Sequence, residues 1–266
     1  MPTVAELTAP YGNLLLAPRP GPEVCRICFN LTDGYGICYA CAHGGRRLDA
    51  VGPISYSVAG EQLHHALAAY KRRSDAVGRR FGVELAAVLW RHLAGHEQCL
   101  AQAAGVEAFT LVTTVPSGAR ERDGAHPLHA IAGELVGPLR DRYVRALARS
   151  AVSAPAHEFH TGRFECRAEV SGHAVLLVDD MWTTGANAQS AAAALKAAGA
   201  IRVAAVVIGR HLNRDWRHND RTLRRLPQPF DWSRCGLCAP GEGCRSPPPG
   251  AEHSPPVLPG DLHELV

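Results

Sequence analysis

Lysine is nearly absent from this chain of 266 residues: Lys71 and Lys196 are the only two among 28 basic side chains. Neither follows a glycine, so the G-K-[ST] end of a Walker A loop cannot form, and P-loop ATPases and GTPases are excluded. A G-x-G-x-x-G dinucleotide loop is missing as well. No apolar run approaches the roughly eighteen residues that cross a bilayer. The opening MPTVAELTAP has no basic segment followed by an apolar one, so we expect no membrane insertion and a cytoplasmic protein. Charge of one sign is scarce too. A net +3 is too little to wrap nucleic acid by charge alone, and any basic footprint must be local. What is present is 46% hydrophobic residues, enough for one sizeable core plus a smaller module and too many for a disordered or collagenous chain.

Nine cysteines, an odd number, speak against a disulfide framework. Cys25, Cys28, Cys38 and Cys41 form two C-x2-C pairs separated by nine residues. Each pair places two thiolates on a tight turn, and two such knuckles close a tetrahedral site around one Zn²⁺. So short a segment buries too little apolar surface to fold alone, so the metal supplies its folding energy. Free thiols or a redox pair are the other readings. Cys235, Cys238 and Cys244 form a weaker C-x2-C-x5-C group, a possible second Zn²⁺ site whose fourth ligand would be His218 or His253.

Composition and periodicity divide the chain into four parts. Residues 1–24, proline-rich and aperiodic, read as a tether, 25–48 as the cysteine module, and 49–210 as the main domain. Residues 211–266 form an Arg, Cys and Pro-rich extension expected to be disordered from about 240. In the main domain, strands are expected at 51–58, 109–115, 143–147, 174–178 and 203–208, and helices at 62–72, 77–92, 128–139 and 188–198. That alternation implies an α/β fold with a parallel sheet flanked by helices.

The chemistry concentrates in HAVLLVDDMWTTGANAQSAAAALKAAGA, residues 173–200. An apolar strand delivers Asp179 and Asp180 to the sheet's C-terminal edge, where open α/β proteins bind ligands. Thr183, Thr184 and Gly185 follow, directly before an alanine-rich helix. Hydroxyls, a glycine and free N–H groups at a helix start suit a phosphate dianion, and carboxylates accept hydrogen bonds from sugar hydroxyls. Together they describe a site for a ribose 5-phosphate. The bland reading is a capped helix after a strand with solvated acids.

The run Val178-Asp179-Asp180-Met181-Trp182-Thr183-Thr184-Gly185 resembles the phosphoribosyl-diphosphate signature of type I phosphoribosyltransferases. With the four-cysteine module before it, the chain is similar to the ComF family linked to competence, over about residues 20–210. Tyr70-Lys71 resembles that family's lysine-tyrosine segment in reversed order. Val115-Pro116 with Arg120 and Arg122 resembles its pyrophosphate loop, and Arg149 the arginine that opens its mobile loop. The resemblance implies a type I phosphoribosyltransferase-like sheet behind a zinc-ribbon-like module. Asp179 and Asp180 would serve as the catalytic pair on the ribose hydroxyls, and Thr183, Thr184, Gly185, Ala186 and Asn187 would surround the 5′-phosphate. Mg²⁺ would come with the diphosphate, and Arg120, Arg122 and Arg149 would bind substrate. Asn187 replaces a threonine or serine of the signature, the Arg-Gly-Phe-Asn-Gln run after Arg122 is missing, and a segment with His157, His160 and Arg163 replaces the usual mobile loop.

Two functions are therefore expected. One is transfer of phosphoribose to an unidentified base or amine, with 150–167 as a lid and His126, His157 or His160 as acid–base candidates. The other is a non-catalytic protein of DNA uptake that senses a phosphoribosyl ligand. It would contact single-stranded DNA or DNA-processing proteins through the cysteine module, or through Trp216 and Trp232 among Arg214, Arg217, Arg221, Arg224 and Arg225.

Overall fold

The structure, a computed structural model, describes residues 2–117 and 126–238. Arg120, Arg122, Cys244, His253 and the tail beyond 240 lie outside the described residues.

Four strands, β1 (Ala50–Val58), β2 (Leu111–Thr114), β5 (Ala174–Trp182) and β6 (Arg202–Leu212), form one parallel sheet in the order β1-β6-β5-β2. Strands β3 (Leu147–Arg149) and β4 (Phe164–Cys166) pair as a separate antiparallel hairpin. The central pair is apolar on both faces because both are covered. Leu176 and Val178 of β5, with Ala204, Val206 and Ile208 of β6, pack towards α3 (Gln62–Arg72) and the long α4 (Ala76–Ala103). Val175, Leu177, Val203, Ala205 and Val207 pack with α7 (Ala186–Ala197) and the cysteine module on the other side. This two-sided pattern is what parallel strands require.

The remaining helices are short: α1 (Val4–Thr8), α2 (Tyr39–His43), α5 (Leu128–Ala130), α6 (Gly137–Arg140) and α8 (Asn219–Leu223). The helix expected at 128–139 is broken into α5, a π-helical turn Ile131–Leu135 and α6. Val136 N–H reaches back five residues to Ile131 O, and Pro138 sits in the first turn of α6 and cannot continue the ladder. The strand expected at 143–147 is a single bridge, Tyr143 to Val112, before β3 begins.

The first residues are not a loose tether. Thr3 and Glu6 form a capping box at α1, and Val4, Leu7, Tyr11 and Leu14 enter the core beside α4. Tyr11 Oη donates to Glu84 Oε2 of α4 at 2.9 Å. That spacing of apolar residues is a buried strip too short to show as a periodic helix.

Candidate functional site

All four strands of the sheet run the same way, so their C-terminal ends share one edge, and the loop from β5 to α7 lies on it. Thr183 is exposed and Thr184 half-buried. Gly185 takes a left-handed conformation, φ +82°, as the residue that opens α7. A Cβ there would overlap the Trp182 indole, so glycine is required twice over. Thr184 Oγ1 accepts from Ala186 N–H and donates to His157 O, both at 3.3 Å. Asn187 Oδ1 is buried without a hydrogen-bond partner among the described residues. Thr184 thus caps the first N–H of this 12-residue helix, and the next N–H groups of its first turn remain to meet an acceptor.

Asp179 and Asp180 lie still within β5, opposite β6, and both are buried. Asp180 is the better served of the two. Lys71 Nζ donates to its Oδ1 at 2.7 Å, Tyr70 Oη donates to its Oδ2, and His126 Nε2 stands 3.9 Å from the same oxygen. Burial opposes its ionisation, but Lys71, His126 and these hydrogen bonds outweigh it and hold Asp180 below the usual carboxylate range. Asp179 has no such company. Burial, then the charge of Asp180, push it up to about 7 against a partial offset from Lys71. The two therefore titrate as a pair in which Asp179 keeps the proton longest.

Tyr70 and Lys71 stand at the end of α3; the resemblance marks them as a family segment, but their hydrogen bonds to Asp180 had no signal in the sequence. His126 was one of several loop histidines and is the one brought to the acids. His157 and His160 go elsewhere, into the β3–β4 hairpin loop. His157 O accepts from Thr184, and His160 N–H donates to Ser190 Oγ of α7 at 3.0 Å, so the expected lid segment docks on the Thr184 turn and the first turns of α7. Buried Arg163 ties that loop together by donating to Pro155 O and Glu158 O. Arg149, at the end of β3, lies 6.0 Å from the Phe164 ring centroid, and its buried Nη1 has no hydrogen-bond partner among the described residues.

A cleft of about 480 Å³ lies between the turn and the cysteine module, lined by Thr184 and Gly185 of the turn, by Tyr39, His43 and Gly45 of the module, and by Phe159, which packs on Gly45. Thr184 lines this cleft, Thr183 and Thr184 line the neighbouring groove beside Trp216, and Asp180 meets Tyr70, Lys71 and His126.

Cys25, Cys28, Cys38 and Cys41 are all buried, and their sulfurs lie within 4.8 Å of one another, so the cluster can hold a metal ion. The donor set fits Zn²⁺ chemistry. Four thiolates around one dication leave two negative charges, and buried Arg210 answers them from 3.7 Å at Cys28 Sγ. The same guanidinium donates to Cys28 O at 3.0 Å and Trp182 O at 3.1 Å, joining the module to the end of β5. A second group, buried His96, Cys99 and Cys235 with half-buried Cys238, can also hold a metal ion. Among the described residues, Cys235 and Cys238 meet His96 and Cys99 of α4, while His218 is exposed beside α8; Cys244 and His253 of the expected set lie outside the described residues. Helix α4 runs on past the expected end at His92, which is what brings His96 and Cys99 into position.

Compared with protein-family models and with curated proteins, the chain finds no match.

Proposed function

We propose that the protein binds phosphoribosyl diphosphate at the β5–α7 edge, as type I phosphoribosyltransferases and the ComF family do, and transfers its phosphoribosyl group to a base or amine. The observation that carries this reading is the left-handed Gly185 opening α7 beside two threonines, five residues after a carboxylate pair. The turn residues Thr183 to Asn187 hold the 5′-phosphate, and Asp179 and Asp180 accept from the ribose hydroxyls. Tyr70 and Lys71 keep Asp180 ionised and oriented. In transfer, the C1–oxygen bond to pyrophosphate breaks with its electron pair leaving on the pyrophosphate. The acceptor nitrogen then bonds to C1 and gives up its proton to His126, whose Nε2 stands 3.9 Å from Asp180. Mg²⁺, if carried in with the diphosphate, would supply charge neutralisation on the leaving group. Zinc is the metal assigned to Cys25, Cys28, Cys38 and Cys41.

The test has two stages. Titration of phosphoribosyl diphosphate with Mg²⁺ into the full chain is expected to saturate, and pyrophosphate release is then followed across a panel of bases and amines. Binding without release for every acceptor overturns the transferase reading and leaves the sensing one.

A specific feature favours a nucleic-acid role alongside. A groove of about 790 Å³ between the cysteine module and the β6–α8 connection is lined by Tyr35, Tyr39, Trp216 and Arg217, and the three aromatics are exposed. Exposed rings beside a cation are a stacking platform for unpaired bases. Trp232 does not belong to it, because it packs against α4 beneath Arg91, 4.6 Å from ring centroid to guanidinium. Fluorescence titration of Trp216 with single-stranded DNA is expected to show quenching that Tyr39→Ala weakens, and no change with DNA would rule the platform out.

A further inference from the structure

We propose that His96, Cys99, Cys235 and Cys238 form a second structural metal site, of Cys₃His type, which clamps the C-terminal segment onto α4. The proposal is independent of the phosphoribosyl reading.

The ligands come from two segments far apart in the chain. His96 and Cys99 stand three residues apart on α4 and so share one face of the helix. Cys235 and Cys238 form a C-x2-C knuckle, the local geometry that sets two thiolates on one centre. All four donor atoms lie within 4.8 Å of one another. Sulfur contacts run from Cys99 to Cys238 at 2.8 Å and from Cys235 to Cys238 at 3.1 Å, with Cys99 Sγ 4.0 Å from His96 Nδ1. Tetrahedral zinc with metal–sulfur bonds of about 2.3 Å needs sulfurs about 3.8 Å apart, so loading asks them to part by roughly an ångström or less.

The histidine carries the decisive detail. Its Nε2 lies 2.9 Å from Trp232 O, and a carbonyl can only accept, so Nε2 bears the proton. In the neutral ring Nδ1 is then left with its lone pair, on the side of the sulfurs. A backbone carbonyl that fixes the far ring nitrogen is the usual support of a metal-ligating histidine. Nothing about a merely buried histidine requires its lone pair to meet three cysteines.

The knuckle is also seated. A Cβ on Gly236 would come within 2.8 Å of the Phe29 ring and 3.2 Å of Ala17 O, so only glycine lets the loop approach the first cysteine module this closely. Phe230 and Trp232 stack edge to face at 4.9 Å and pack on the α4 side. One metal would thus fix the C-terminal segment to the longest helix and beside the other metal centre. Cys238 is disulfide-bonded, so metal binding follows reduction of that bond by a thiol reductant, whose two electrons and two protons return each sulfur to a thiol while the reductant becomes the disulfide. Three thiolates and one imidazole nitrogen select a borderline-soft dication such as Zn²⁺ over Mg²⁺ or Ca²⁺.

The full chain is reduced, freed of metal and titrated with Co²⁺ or Zn²⁺ alone. Two equivalents are expected per reduced chain and one in Cys99→Ser, whereas Cys28→Ser loses the other equivalent. Alkylation of Cys235 and Cys238 in the reduced wild-type chain, mapped by mass spectrometry, is expected to slow about tenfold or more when Zn²⁺ is added. That measurement stands even where a variant fails to fold. A reduced chain that holds one equivalent, or a Cys99→Ser chain that still holds two, overturns the site, as does alkylation that Zn²⁺ leaves unchanged.

Discussion

Gly185 shows how much one hydrogen atom in place of a methyl group can decide. Its positive φ disfavours any side chain, and the Trp182 ring occupies the space a Cβ would need. Gly185→Ala is therefore expected to destabilise the fold by about 2–3 kcal/mol and to abolish anion binding at the start of α7. Thermal melts with and without inorganic phosphate check both effects. Asp179 makes a second residue-scale prediction. Its carboxyl is raised from an ordinary value to about 7 by burial first and by Asp180 second. A raised acid supplies stability at low pH that is lost as pH climbs towards 7, because the folded state must then hold a buried charge. The full displacement converts to roughly 4 kcal/mol, but Asp180 shares the titration, so Asp179→Asn is expected to stabilise the protein by about 1–2 kcal/mol at pH 8. The gain should shrink towards pH 5. Denaturant unfolding at the two pH values measures it, and a gain that does not change with pH would contradict the assignment.

At the scale of elements, the cysteine module and the phosphate turn are held together by Arg210. It lies in β6, is buried, and donates to carbonyls of Cys28, Trp182 and His211. Replacing it with methionine removes these bonds and leaves the carbonyls unpaired. Arg210→Met is expected to cost about 2–4 kcal/mol and to weaken zinc binding at the first cluster by about tenfold or more. Competition with a chromophoric chelator reads the second effect. Helix α3 forms over the residues its apolar spacing predicts, because Leu63, Ala66, Leu67 and Tyr70 repeat at helical intervals. Strand β5 is longer than its apolar run. Asp179 to Trp182 remain in the sheet because β6 continues beside them, and no local pattern in the sequence announces a partner's length. Helix α4 outruns its expected end for the opposite reason: His92 and His96 interrupt the apolar stripe, yet both are buried. The Thr3–Glu6 capping box was in plain view and marks the start of α1, and only the brevity of the helix hid it.

Over the whole molecule, what could be read early was whatever lies close in sequence. The four-cysteine cluster and the strand–turn–helix at 174–197 each occupy a short window, and the structure assembles each within it. What could not be read joins distant segments. Lys71 meets Asp180 across 109 positions, and Cys99 meets Cys238 across 139. Such pairings are products of the packed sheet and carry no spacing signal of their own. Closure of the site is likewise a whole-molecule property, since the cleft before Thr184 has the cysteine module as its far wall. Isothermal titration of phosphoribosyl diphosphate with Mg²⁺ into the full-length chain at pH 8, repeated in the presence of ribose 5-phosphate, tests the central claim most directly. The account predicts one saturable site that ribose 5-phosphate displaces and that Gly185→Ala removes. Absence of heat up to millimolar ligand, or binding that survives Gly185→Ala unchanged, would contradict it.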